Sequence, residues 1–200
     1  MGDCETYLIN KSKQLPHPKK TELDVTEPLQ LIYSDITGPI YPKALGNDRY
    51  IHKFSDQRSK HLAVYFREHK RYTVRVSKDY HHDLAVMNGR KIKRLRTDCR
   101  SEHISEEYRT ACKKLGIKNE TSSPFTTQQL GDSERAGGTL MSIARCLRNE
   151  MKWPRFLWNE IASTSAYLYN RISNKMIGME NPYRKMFGND ARLSNLRTIG

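Results

Sequence analysis

Residues 49 to 69, RYIHKFSDQRSKHLAVYFREH, read as two short β-favouring runs joined by the polar turn Ser55 to Lys60. A hairpin in this place commits the chain to a sheet, and LAVYF is apolar enough to be a strand buried on both faces. A strand also precedes it. LQLIYSDI offers Leu29, Leu31, Ile32, Tyr33 and Ile36 before Gly38, Pro39 and Pro42 stop the run, which sets Asp35 at a strand's carboxyl end.

After the hairpin the pattern alternates. Residues 72 to 88 are helix-compatible, with Val74, Val76, Leu84, Val86 and Met87 weakly patterned and Asn88-Gly89 as the stop. KIKRLRT is then a strand by position, with Ile92 and Leu95 to bury. Next comes a short helix with consistent ends: Ser105 as N-cap, Glu106 and Glu107 in the first turn, Tyr108, Ala111, Cys112 and Leu115 on one face, Lys113 and Lys114 in the last turn, then Gly116. IKNET reads as a brief strand, and a polar loop with Pro124 and Gly131 follows. From Ser133 the residues Leu140, Ile143, Ala144, Leu147 and Met151 form a core-facing helical stripe. On a helical wheel Glu134 lies on the order of 130° from that stripe, within about 40° of Arg145 and Arg148. A last helix, WPRFLWNEIASTSAYLYNRI, supplies Phe156, Leu157, Ile161, Leu168 and two tryptophans as core filling, and the segment from Ser173 is broken by glycines and Pro182. The order predicts a mixed α/β domain, a sheet flanked by helices, in one compact unit for 200 residues with 36% hydrophobic content.

Charge then narrows the partners. Lys and Arg outnumber Asp and Glu by 35 to 22, which points to a polyanion, with nucleic acid ahead of acidic lipid. No apolar run approaches the roughly 18 residues of a membrane span, no secretory core opens the chain, and we expect an intracellular protein with no membrane partner. Cys4, Cys99, Cys112 and Cys146 form no CxxC pair and read as reduced, mostly buried thiols; His81 and His82 read as surface residues.

The acids carry the chemistry. KIKRLRTDCR surrounds Asp98 with Lys91, Lys93, Arg94, Arg96 and Arg100, at the end of a strand as Asp35 is. Carboxylates from separate elements can converge on divalent cations, which prefer oxygen ligands. With Asp35 upstream and 35 residues between Asp98 and Glu134, the spacing resembles the acid triad of retroviral and retrotransposon integrases. SDITGPI, LRTDCRSEH, SSPFTTQQLGDSER, WPRFLWNEIASTSAYLYNR and NPYRKMFGNDARLSNLRTIG resemble, in order, segments of the integrase region in copia-type retrotransposon polyproteins.

The resemblance implies a ribonuclease-H-like fold with residues 1–22 as the remnant of an N-terminal zinc-binding module and linker, 23–172 as the catalytic core and 173–200 as its extension. It implies DNA integration: strand transfer of 3′ ends of double-stranded retrotransposon DNA into target DNA, with Asp35, Asp98 and Glu134 as catalytic residues and ligands of two Mg²⁺ or Mn²⁺ ions. It also implies a homo-oligomer that functions in the nucleus after a cytoplasmic particle stage. Lys91, Lys93, Arg94, Arg96, Arg100, Arg135, Arg145 and Arg148 are the candidates for holding phosphates, and Gln128 and Gln129, in the loop before Glu134, for hydrogen-bonding a DNA end. Asp56, in a turn, Glu102 and Glu160 are read as structural.

Departures keep a second reading open. Cys99, Arg100 and Ser101 replace the family's Asn-Gly-Gly, Leu130-Gly131 replaces Asn-Gly, and Gly137 and Gly138 stand where polar or basic residues are common. Tyr7 takes the place of the second zinc-module cysteine, so zinc is not expected. The resemblance leaves two main readings, an active integrase core or an inactive or domesticated remnant that binds DNA; a third, another ribonuclease-H-like nuclease, is disfavoured by the tail segments.

Overall fold

The computed structural model describes residues 25–97, 105–121, 127–194 and 196, with the side chains of 85, 86, 88 and 127–134 excluded. The segments 1–24, 98–104 and 122–126 lie outside it, and with them Asp98, Arg100, Glu102 and the zinc-module remnant.

Five strands form one mixed sheet in the order β3-β2-β1-β4-β5. β1 (Ile32–Thr37), β2 (Tyr50–Asp56) and β3 (Leu62–Arg67) run as an antiparallel meander, and β4 (Arg94–Thr97) and β5 (Lys118–Thr121) add parallel to β1 on its other side. The helices are α1 (Thr73–Asn88), α2 (Glu106–Lys114), α3 (Thr127–Met151), α4 (Trp158–Tyr169) and α5 (Pro182–Phe187).

Strand alternation divides the sheet into two faces. One presents Ile32, Phe54 and Leu95 to Val76, Tyr80 and Leu84 of α1 and Tyr108 and Cys112 of α2, forming the larger core, with Phe54 stacked on Tyr80 at 4.3 Å. The other presents Leu62 and Val64 to Ala136 and Leu140 of α3 and Ala166 and Tyr169 of α4. Asp35 and Lys53, cross-strand partners, belong to this second face.

Local signals place several elements as expected. The Ser105 hydroxyl accepts from the Tyr108 N–H at 3.3 Å, and Gly116 adopts φ +69° after α2. Gly89 ends α1 at φ +61°. Gly38 stops β1 at φ +139°, and an added Cβ there would lie 2.5 Å from the Arg49 carbonyl, which accepts from Ile40. A side chain at this position is excluded on both counts.

Other expectations are corrected. LAVYF is not buried on both faces: β3 is a sheet edge, and only Leu62 in it is buried. The Asn170 amide caps this edge, accepting from the Leu62 N–H at 2.9 Å and donating to its carbonyl at 2.8 Å, so a side chain supplies what a sixth strand would. α3 starts at Thr127, not Ser133, which moves Gln128, Gln129 and Gly131 from a loop into the helix. Once the packed part of α3 nucleates, extension through Gln and Leu costs little. His81 is buried, and that burial, with Lys91 and His82 nearby, lowers its pKa. Phe156 is exposed, whereas Trp158 is half-buried, edge-on to Phe66 and donating to the Pro42 carbonyl at 3.0 Å. Of the described cysteines Cys112 is buried and Cys146 exposed.

Candidate active site

Asp35 sits two residues before the end of β1, the central strand. On one flank β4 pairs parallel with Ser34 opposite Thr97, so the described part of β4 stops at the residue before Asp98. On the other flank Lys53 of β2 lies directly opposite, and its Nζ is 2.6 Å from Asp35 Oδ2. The lysine side chain is 15% exposed and the aspartate 33%, so the pair is open to solvent from the carboxylate side.

α3 crosses the same face. Gly137 is buried there, and a Cβ on it would lie 3.2 Å from Lys53 Nζ. Gly137 therefore gives the lysine head its room, which accounts for a residue that costs a helix interior about 1 kcal/mol relative to Ala. Gly138, with nothing near its missing Cβ, has no such explanation. Glu134 falls in α3 three residues before this contact, and its side chain is outside the described set.

Asp35 thus offers a hard oxygen donor at the carboxyl end of a central strand, the chemistry a divalent cation requires. Among the described residues no three His, Cys, Asp or Glu side chains gather into a cation site. Two of the three expected ligands, Asp98 and the Glu134 side chain, lie outside those residues.

The basic run before Asp98 is redistributed by its strand. At about 3.3 Å per residue, Lys93 lies on the order of 13 Å from Thr97, at the amino end of β4, and Lys91 precedes it. Both are exposed. Arg96 is buried, donates to Glu120 at 2.9 Å and lies over the Tyr33 ring, and Arg94 reaches the same carboxylate at 3.8 Å. These two arginines hold β4 to β5 across the sheet through the Glu120 carboxylate. Arg135, Arg145 and Arg148 are exposed along α3. Arg135 joins Lys60, Lys175 and Thr139 at an open cleft of about 290 Å³.

Asp56 is more than a turn residue. Fully buried, its carboxylate accepts from the Leu29 N–H at 2.8 Å, the Arg58 N–H at 3.1 Å, and the Ser59 N–H and hydroxyl at 2.6 and 2.7 Å. Burial pushes its pKa up while these four donors pull it down. It locks the β2–β3 turn to the residue that leads into β1, Leu29, held at φ +68°.

Lys53 is the residue that sequence reasoning missed. Its signal was the alternation Ile51, Lys53, Ser55 within a strand antiparallel to the one bearing Asp35, legible only once the register is known.

The chain is 30% identical over 197 residues to the retrovirus-related Pol polyprotein of transposon TNT 1-94 from Nicotiana tabacum, covering 98% of the chain and 15% of the polyprotein. It is 28% identical over 199 residues to that of transposon RE1 from Arabidopsis thaliana, with 98% and 13% covered. The chain's homologues are Pol polyproteins of copia-type retrotransposons, aligned over 98% of the chain. It spans about one-seventh of the length of these relatives. No protein-family model matches it. In fold, the chain resembles the HTLV-2 integrase catalytic core domain, solved in complex with magnesium, at a TM-score of 0.62 and 16% identity over 80% of this chain and 98% of that one. A chain of the simian T-cell lymphotropic virus intasome, in complex with PP2A regulatory subunit B56 gamma, superposes at a TM-score of 0.64 and 19% identity, covering 87% of this chain and 59% of that one. The mixed sheet flanked by helices is the ribonuclease-H-like fold of these cores.

Proposed function

We propose that this chain is an integrase catalytic core that joins the 3′ ends of retrotransposon DNA to target DNA by phosphoryl transfer. The observation that carries the reading is the position of Asp35. It lies on the central strand, on the face crossed by the helix containing Glu134, beside the strand that leads to Asp98. Asp35, Asp98 and Glu134 are the residues that would hold Mg²⁺ or Mn²⁺. When bound, the ions supply activation of the attacking oxygen and charge stabilisation at the departing one. The chain's own part is positional: the β1–β4 pairing brings two acid-bearing strands side by side. Arg135, Arg145 and Arg148, exposed along α3, and Lys91 and Lys93 before β4 supply cationic surface for DNA phosphates, which need no sequence-specific contact. Homo-oligomerisation belongs to the same reading; the HTLV-2 core was solved in dimeric and trimeric forms.

A second reading, a DNA-binding module without turnover, is favoured by the Lys53–Asp35 ion pair together with Cys99-Arg100-Ser101. One experiment separates the two. The protein is mixed with blunt linear DNA, a plasmid target and Mg²⁺ or Mn²⁺, alongside Asp98→Asn. Joined products from the parent and none from the variant establish the enzyme. Salt-dependent DNA binding by both, with joining by neither, establishes the binding module.

A further inference from the structure

We infer that Lys53 is a resident counter-ion of the acid site, held against Asp35, so that a divalent cation binds there only by displacing its ammonium. This inference rests on the proposed cation role of Asp35 and deepens it. Three observations carry it. The Nζ–Oδ2 separation of 2.6 Å is a close charge-assisted contact that fills a coordination direction of the carboxylate. The lysine is held from behind, since its strand position directly faces Asp35 and its side chain is mostly buried. Finally, α3 carries glycine at 137, where a Cβ would come within 3.2 Å of the same nitrogen, so the helix leaves space for the ammonium at the place it occupies.

The physical consequence is competition. An ammonium within bonding distance of Asp35 neutralises the charge that attracts a metal, and a divalent ion placed at the same oxygen is repelled by it. Lysine's four-carbon stem lets the head swing away without backbone movement, so the pair is exchangeable. Metal occupancy is then weaker than the acids alone would give.

The test titrates Mn²⁺ into the parent, Lys53→Met, Lys53→Arg and the double variant Lys53→Met/Asp35→Asn, following free Mn²⁺ by electron paramagnetic resonance. Thermal melts in EDTA verify that each is folded. Lys53→Met is expected to bind Mn²⁺ at least about fivefold more tightly than the parent, from the lost repulsion. Lys53→Arg should stay with the parent, and the double variant should lose the gain. A smaller gain, or weaker binding by Lys53→Met, overturns the inference while leaving the cation reading of Asp35 intact. Absence of binding by every protein at millimolar Mn²⁺ sinks that reading, and the inference with it.

Discussion

Two stretches of the sheet, Tyr33-Ser34-Asp35 and Phe54-Ser55-Asp56, have the same local pattern of aromatic, serine and aspartate, and lie on neighbouring strands. Their acids meet opposite fates. Asp56 points to the larger core, is fully buried and is held by three backbone N–H groups and a hydroxyl. Asp35 points to the other face, stays one-third exposed and is met by a flexible ammonium. Backbone donors are fixed by the fold and make Asp56 a structural lock. A side-chain cation can be moved, which leaves Asp35 able to change partners. The difference lies in which face of the sheet each residue reaches, and one residue of register would exchange them.

The comparison breaks most visibly at Asp56. Asp56→Ala strands the buried N–H groups of Leu29 and Ser59, and should cost about 3 kcal/mol or more in urea unfolding. Asp35→Ala, at a partly exposed pair, should cost less than about 1 kcal/mol while abolishing the strand transfer proposed above. Equal destabilisation by the two would erase the distinction.

The same core can be probed by pH through His61, at the end of the turn that Asp56 locks. Burial, aided by the Arg171 charge, lowers its pKa from 6.5 to about 4. The folded chain therefore binds fewer protons than the unfolded one between those values, so stability is present above pH 6.5 and declines as pH falls toward 4. The full contribution is on the order of 3 kcal/mol. His61→Phe, stacking edge-on to Phe187 as the imidazole does, should flatten that slope. The raised pKa of Asp56 has the opposite sense, with stability lost as pH rises above the ordinary carboxylate value, and it cancels in the difference between parent and variant.

The smallest effects are expected at the paired glycines. Gly138→Ala meets nothing and should stabilise by up to about 1 kcal/mol. Gly137→Ala gains the same helix propensity but crowds Lys53, so it should return less; in Lys53→Met/Gly137→Ala the difference between the two sites should change. Equal gains in the parent would show that the lysine does not press on α3.

What the sequence revealed follows the range of each signal. The hairpin, the Ser105 cap and the stop at Asn88-Gly89 are set by neighbours a few residues apart, and all stand in the fold. The edge position of β3 was hidden because apolar character cannot tell a two-sided strand from an edge covered by the Asn170 amide. The start of α3 was hidden because its first turns carry no apolar stripe. The run from Lys91 to Arg96 read as one basic cluster, yet strand alternation sends Arg94 and Arg96 to Glu120 on one face and extension leaves Lys91 and Lys93 at the far end of β4. Asp35 was found through its place at a strand end and through family spacing. Lys53 demanded the register between two strands that are about twenty residues apart in the chain, which composition does not encode.

The most direct measurement is a crystal structure of the protein with Mn²⁺, located by its anomalous signal. The account predicts manganese bound to the Asp35 carboxylate, shared with Asp98 and Glu134, with the Lys53 ammonium withdrawn and Asp56 unchanged. Manganese held elsewhere, with Asp35 still closed on Lys53 at saturating metal, would contradict it.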